Sequence, residues 1–182
     1  MTAEDVTGEL DGVEVGGGSE TVRQLIADAN SHTVLPAGAY NASDSGNARR
    51  FTHLYGRTIR YAADSKMWYS WEGTRWQPDV GSLRVLALTL GVPNYITAVE
   101  TGIVPDDAAG LGRFALRSES ESSRRKMLAL AATDPAVTIR EADLDANPRL
   151  LVVRNGTLDL ITGLLRESRT ADLCTRQAAV GY

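Results

Sequence analysis

All three tryptophans of the chain, Trp68, Trp71 and Trp76, fall in one short stretch, residues 57–78, together with Tyr61 and Tyr69. Large aromatic rings dominate the area a fold can bury, so the core must be assembled around this segment. Residues 58–61 and 66–71 are rich in β-branched and aromatic side chains, the composition of strands. Glu72-Gly73 supplies the glycine that a tight turn needs before Thr74-Arg75-Trp76 returns. The stretch is therefore predicted to form a short β-meander.

The remaining chain is long enough for one core with an additional arm: 182 residues, 43 % hydrophobic and 23 % charged. No apolar run approaches the roughly 20 residues of a membrane span, and the N-terminus lacks a basic-then-apolar leader pattern. A cytoplasmic protein without membrane contact is expected. A single cysteine, Cys174, excludes an internal disulfide, and with only His32 and His53 beside it no zinc-ligand spacing exists. A formal charge of -4 argues against coating nucleic acid through bulk positive charge, leaving local basic patches as the alternative.

Residues 1–18 are acidic and glycine-rich and are expected to form a flexible arm; Gly16-Gly17-Gly18 is followed by Ser19-Glu20-Thr21, without the lysine of a phosphate loop. Val22, Leu25, Ile26 and Ala29 then repeat at helical spacing over residues 19–30. A second helix follows Asn41, capped by Ser43 or Asp44, with Ala48, Phe51, Leu54 and Tyr55 on one face. That assignment places Asn47, Arg49, Arg50 and His53 on or near the outer face. Helices are expected over 82–90 and 95–100, interrupted at Gly91-Val92-Pro93, and again over 118–132. Between them Gly110-Leu111-Gly112-Arg113 reads as a loop. Leu150 to Val153 is a buried-strand candidate, Asn155-Gly156 a two-residue turn, and 157–161 the returning strand, with a further turn at Thr162-Gly163. The expected fold is α+β, a mostly helical body carrying two small antiparallel β-meanders.

Candidate chemistry is limited. Asp143-Leu144-Asp145 has the Asp-x-Asp form used to hold catalytic metals, but Glu141-Ala142 and Ala146-Asn147-Pro148 flank it instead of an apolar strand, so both aspartates are expected to serve a cap or loop. Cys174 has no histidine nearby and is expected to pack. Arg57, Arg60, Lys66 and Arg75 alternate with Tyr61, Trp68, Trp71 and Trp76, which admits two explanations. Single-strand binding interleaves cations and rings in this way. Period-two alternation in a half-buried meander produces the same pattern with rings in the core. Arg49 and Arg50 on the second helix and the triplet Arg124, Arg125, Lys126 complete the set of possible DNA-contacting cations.

A family resemblance joins these segments. Ser45-Gly46-Asn47-Ala48-Arg49-Arg50-Phe51, then Gly56, Arg60-Tyr61 and the Trp68 to Trp76 run, followed by Leu150 to Leu160 and Thr162-Gly163, resembles the module found just before the superfamily 3 helicase domain of phage and plasmid primases and of the poxvirus primase-helicase. The resemblance spans about residues 44–182. It departs at Ile161, where the family usually carries a basic residue, and at Ser168, often a histidine. The resemblance implies a non-catalytic module of a phage or prophage primase-helicase, residues 19–182, that supports assembly or DNA engagement of an ATPase during replication initiation. ATP and magnesium are implied only for that ATPase, and oligomerisation only together with it; the sequence holds no Gly-x-x-x-x-Gly-Lys-Ser/Thr. A stand-alone prophage protein that regulates a helicase by binding it, and a ligand-binding β-module, remain as alternatives.

Overall fold

A computed structural model describes residues 40–182. The expected arm at 1–18 and helix at 19–30 lie outside the described residues. Helix α1, Asp44–Tyr55, begins where Ser43 accepts a hydrogen bond from the Gly46 amide at 3.1 Å, and buries Ala48, Phe51 and Tyr55. Strands β1 (Ile59–Ala62), β2 (Met67–Trp71) and β3 (Trp76–Pro78) follow as an antiparallel meander. The β2–β3 loop spans residues 72–75, closed by the Glu72 amide on the Arg75 carbonyl at 3.0 Å, with Gly73 at φ +88.

Period-two alternation separates the rings of this ribbon. Ile59, Tyr61 and Trp68 face the helices, whereas Ala62, Tyr69, Trp71 and Trp76 face a second, smaller core closed by Ile139, Leu144 and Leu173. Both faces of the sheet are covered, so the expected half-buried ribbon is corrected to one that divides two cores. A fourth strand unannounced by composition, β4 (Thr138–Ile139), adds to β1 in parallel and extends the sheet to the order β3-β2-β1-β4. Its two residues are too few to show a period.

Residues 80–103 form a run of helical segments: a 3-10 turn that kinks at the left-handed Gly81 and Ser82, then α2 (Leu83–Leu88), α3 (Gly91–Tyr95), a π-helical turn at Ile96–Glu100 and α4 (Thr101–Ile103). The expected interruption at 91–93 falls earlier, as a turn at Thr89-Leu90, and residues 91–93 begin α3. Pro93 sits in the first turn of α3, where a missing N–H removes no helical bond, and the Thr89 carbonyl is taken by the Val92 amide at 3.1 Å. By length and composition the run as a whole is apolar enough to cross a membrane, which the segmented expectation had missed. Within the fold, Val85, Val92 and Ile96 are completely buried against α1 and its neighbours. Asp79 starts the path by accepting the Arg84 and Val85 amides at 3.1 and 2.7 Å.

Helix α5, Ala108–Ser118, corrects the expected loop at 110–113. Leu111, Phe114, Ala115 and Ser118 bury at helical spacing, and that packing outweighs the cost of two glycines. Ser120 then caps a separate helix α6, Glu121–Ala131, so the expected 118–132 helix begins three residues late. Lys126 of α6 reaches Asp44 at 3.7 Å and Asp134 reaches Thr52 at 2.8 Å, which makes α1 and α6 parallel neighbours.

The second sheet comprises β5 (Leu150–Val153), β6 (Gly156–Asp159) and β7 (Leu165–Arg166), all antiparallel. Val153 pairs with Gly156, so the hairpin loop is Arg154-Asn155 and not Asn155-Gly156. Gly156 is required for another reason: at φ +152 it lies against the Arg166 carbonyl, where any Cβ would collide.

A comparable close approach tests the helical core. The Gly91 backbone lies against the Tyr55 ring hydroxyl, leaving no space for a methyl group. Gly91→Ala is expected to lower stability by about 1–3 kcal/mol in urea unfolding, and Tyr55→Phe in the same chain to recover part of that loss. Strictly additive effects would show that this contact is not the cause.

Candidate nucleic-acid interface

The nine candidate cations separate into inward and outward groups. Arg50 is completely buried, contrary to its expected place on the outer face of α1. Its Nε and one terminal nitrogen donate to the two Glu100 carboxylate oxygens, each at 2.7 Å, and it donates further to the Tyr40 and Asn41 carbonyls at 2.9 and 3.0 Å. Every donor direction of the guanidinium fork is engaged by protein, which removes Arg50 from the surface set. Asn47 turns inward as well, donating to the buried Ser118 hydroxyl at 2.8 Å.

Arg60 and Arg124 also hold the fold. Arg60 is half-buried with its guanidinium 4.9 Å from the Trp76 ring centre, and it donates to the Gly56 and Ile59 carbonyls; burial pulls its pKa below the usual value. Arg124 closes the end of α2 by donating to the Leu86 carbonyl at 2.6 Å and the Thr89 hydroxyl at 2.8 Å. Arg49, Arg57, Lys66, Arg125 and Lys126 are exposed, and Arg75 is half-buried. Of these, Arg125 meets Glu121 at 2.8 Å and Lys126 meets Asp44 at 3.7 Å, both as solvated surface pairs. Such pairs hold their partners weakly and leave the cations free to exchange them.

The rings divide in the same way. Trp68 and Trp76 are core residues, 4 % and 0 % exposed, so the bland explanation of the interleaved pattern accounts for them. Tyr61 and Trp71 keep part of their surface. Tyr61 lies 4.9 Å from Trp68 between ring centres and, with Trp68, lines an open groove of about 230 Å³ between the first sheet, the start of α2 and α6. Arg125 is the charged residue lining it, and Ser82 and Leu86 line the side opposite the sheet. Sequence spacing could not bring Arg125 to Tyr61; the packing of α6 beside the sheet does.

Residues 173–182 run as an extended strap across both sheets. The Cys174 carbonyl accepts from the Trp76 amide on β3 at 2.8 Å, the Ala178 amide donates to Val152 on β5 at 2.8 Å, and the Val180 carbonyl accepts from Arg154 at 3.0 Å. Gln177 bridges the Thr74 hydroxyl and the Val153 carbonyl, each at 3.1 Å. Asp145, at φ +53, accepts the Thr175 amide at 2.7 Å and the Thr175 hydroxyl, while Asp143 accepts the Arg140 amide at 2.9 Å. Both aspartates therefore serve loop geometry, as their flanking residues predict. Among the described residues no group of three or more His, Cys, Asp or Glu side chains gathers as a metal site.

A family model described as D5 N terminal like matches residues 48–182, most of the chain. The chain belongs to that family. D5 N-terminal-like domains are typical of phage and viral primase-helicase proteins, which places this one in a replication context. No curated protein matches the chain.

Two positions where this D5 N-terminal-like domain departs from the resembling pattern have local accounts. Ile161 is 70 % exposed at the β6–β7 turn, and Ser168 shares a 2.9 Å hydroxyl hydrogen bond with the buried Thr157. Cys174, in the strap itself, is buried; burial pushes its thiol up to about 11, and Asp172 and Asp145 act in the same direction.

Two measurements follow from this domain's geometry. Glu100→Ala strands the buried Arg50 charge and is expected to cost about 3–5 kcal/mol in urea unfolding, and Arg50→Lys, which loses the two-point contact, is expected to fall well below the wild type. A neutral result for both would show that the pair does not hold α1 to the Ile96–Glu100 turn. With its pKa raised, the Cys174 thiol stays protonated at pH 8, so iodoacetamide is expected to leave the native domain unmodified and to alkylate it in denaturant, read by intact mass.

Proposed function

We propose that this D5 N-terminal-like domain is a non-catalytic module of a phage or prophage primase-helicase, acting in the cytoplasm of a bacterial host during initiation of DNA replication. Its partner is a superfamily 3 ATPase carried on the same or a separate polypeptide. The match to the family over residues 48–182 carries this reading. The absence of a phosphate-loop motif from the 182 residues agrees with it, because ATP and magnesium then fall to the partner.

The strap supports a mounting role. In the resembling family the polypeptide continues beyond the segment that matches 172–182 into the ATPase. Here that segment is hydrogen-bonded to the edges of both sheets, so a domain attached to it would leave from a fixed direction and not from a loose tether. The exposed cations Arg49, Arg57, Lys66, Arg125 and Lys126 are available for DNA engagement, with Arg75 half-buried among the rings.

The test pairs the purified chain with the superfamily 3 ATPase domain encoded by the same replicon. A stable complex is expected in light scattering after size exclusion, and no ATP turnover above background from the chain alone. Unaided ATP hydrolysis, or a replicon that encodes no such ATPase, overturns the proposal.

A further inference from the structure

We infer that the groove between β1–β2, the start of α2 and α6 holds one nucleotide of single-stranded DNA, with the base against Tyr61 and a phosphate on Arg125. This inference rests on the DNA-engagement part of the proposed function and assigns it a place on the domain. The groove offers about 230 Å³, room for a single nucleobase and part of its sugar, and opens to solvent. Its aromatic wall is the Tyr61–Trp68 pair, of which Trp68 is held rigidly in the helical core and Tyr61 keeps an accessible portion. Every base presents a π-face, so a ring held in place this way accepts bases without reading sequence.

Charge complementarity chooses the occupant. Arg125 is the charged side chain lining the groove, 67 % exposed and paired with the still more exposed Glu121, so a phosphate can replace that carboxylate at little cost. Ser82 adds a hydroxyl to the lining, and Val80 and Leu83, 74 % and 71 % exposed, stand beside it where a neighbouring base or sugar can cover them. By contrast, Arg50, Arg60 and Arg124 are committed to internal partners, which explains why the contact is assigned to this face and not to the basic positions at large.

The experiment is fluorescence anisotropy with a fluorescein-labelled oligothymidine of about twelve nucleotides, at low and moderate salt, using the full chain. Wild-type binding that weakens with salt is expected. Arg125→Ala and Ala129→Glu both change exposed α6 positions lining the groove and leave the core untouched; each is expected to weaken binding by about tenfold. Tyr61→Leu should weaken it by a similar factor, with circular dichroism confirming the fold, while Arg154→Ala at the second hairpin should stay within about twofold. Equal binding by wild type and all groove variants overturns the groove assignment and leaves DNA engagement in force. No salt-sensitive binding by the wild type overturns both, while complex formation with the ATPase still stands as a separate result.

Discussion

Alternation along one ribbon governs the architecture. Because successive side chains of a strand point to opposite faces, Trp68 enters the helical core while Trp71 and Trp76 enter the smaller one, and each core takes a share of the large rings. A sheet covered on both sides cannot slip register without exposing one set of rings and burying polar groups in the other. That constraint also explains the position of Arg60: on the face of the smaller core, its guanidinium lies over Trp76 and satisfies two carbonyls at the β1 entrance. The helices and the strap are each assembled against a face or an edge of this ribbon.

The helical side has its own fixed point in Arg50 and Glu100. A completely buried guanidinium is tolerable only with its charge and donors matched, and here a two-point carboxylate contact and two backbone carbonyls provide that match. The pair also specifies geometry, since Glu100 ends the π-helical turn and Arg50 lies in the middle of α1. Thr97 and Thr101 hydroxyls bond back to the carbonyls of Pro93 and Thr97, at 3.0 and 2.6 Å, and accommodate the wider turn that presents Glu100 inward. Apolar burial sets the location of the helices, and the ion pair selects one arrangement among those that bury equal area.

Local patterns made much of this fold legible. Helix α1 was readable from Ser43 and the Ala48, Phe51, Tyr55 face, and both meanders from their rings, branched residues and turn glycines. Failures came wherever the deciding partner lay far along the chain. Arg50 resembles a solvated cation until Glu100, fifty positions away, is brought beside it. Helix α5 looked like a loop because Gly110 and Gly112 weaken intrinsic propensity, whereas burial of Leu111, Phe114 and Ala115 decides the matter. Strand β4 is too short to carry a period, and the hairpin at 154–155 shifted by one residue because Gly156 answers to the Arg166 carbonyl and not to the turn. The groove was invisible for the same reason: Tyr61 and Arg125 belong to elements whose adjacency no local spacing encodes.

The strap and the groove use different parts of the same ribbon. Residues 173–182 hold the free edge of β3 through Trp76, and the groove is lined from β1 and β2 through Tyr61 and Trp68. Between them lies only the hydrogen-bonded register Tyr61 to Trp68 and Trp71 to Trp76, with cores on both sides that resist deformation. A sheet packed on both faces resists bending, so the strap's anchorage on β3 is held in a fixed position relative to Tyr61 and Trp68. For a module whose proposed work is to stand beside a motor, such stiffness is the physical requirement, and it follows from the ribbon that carries the three tryptophans.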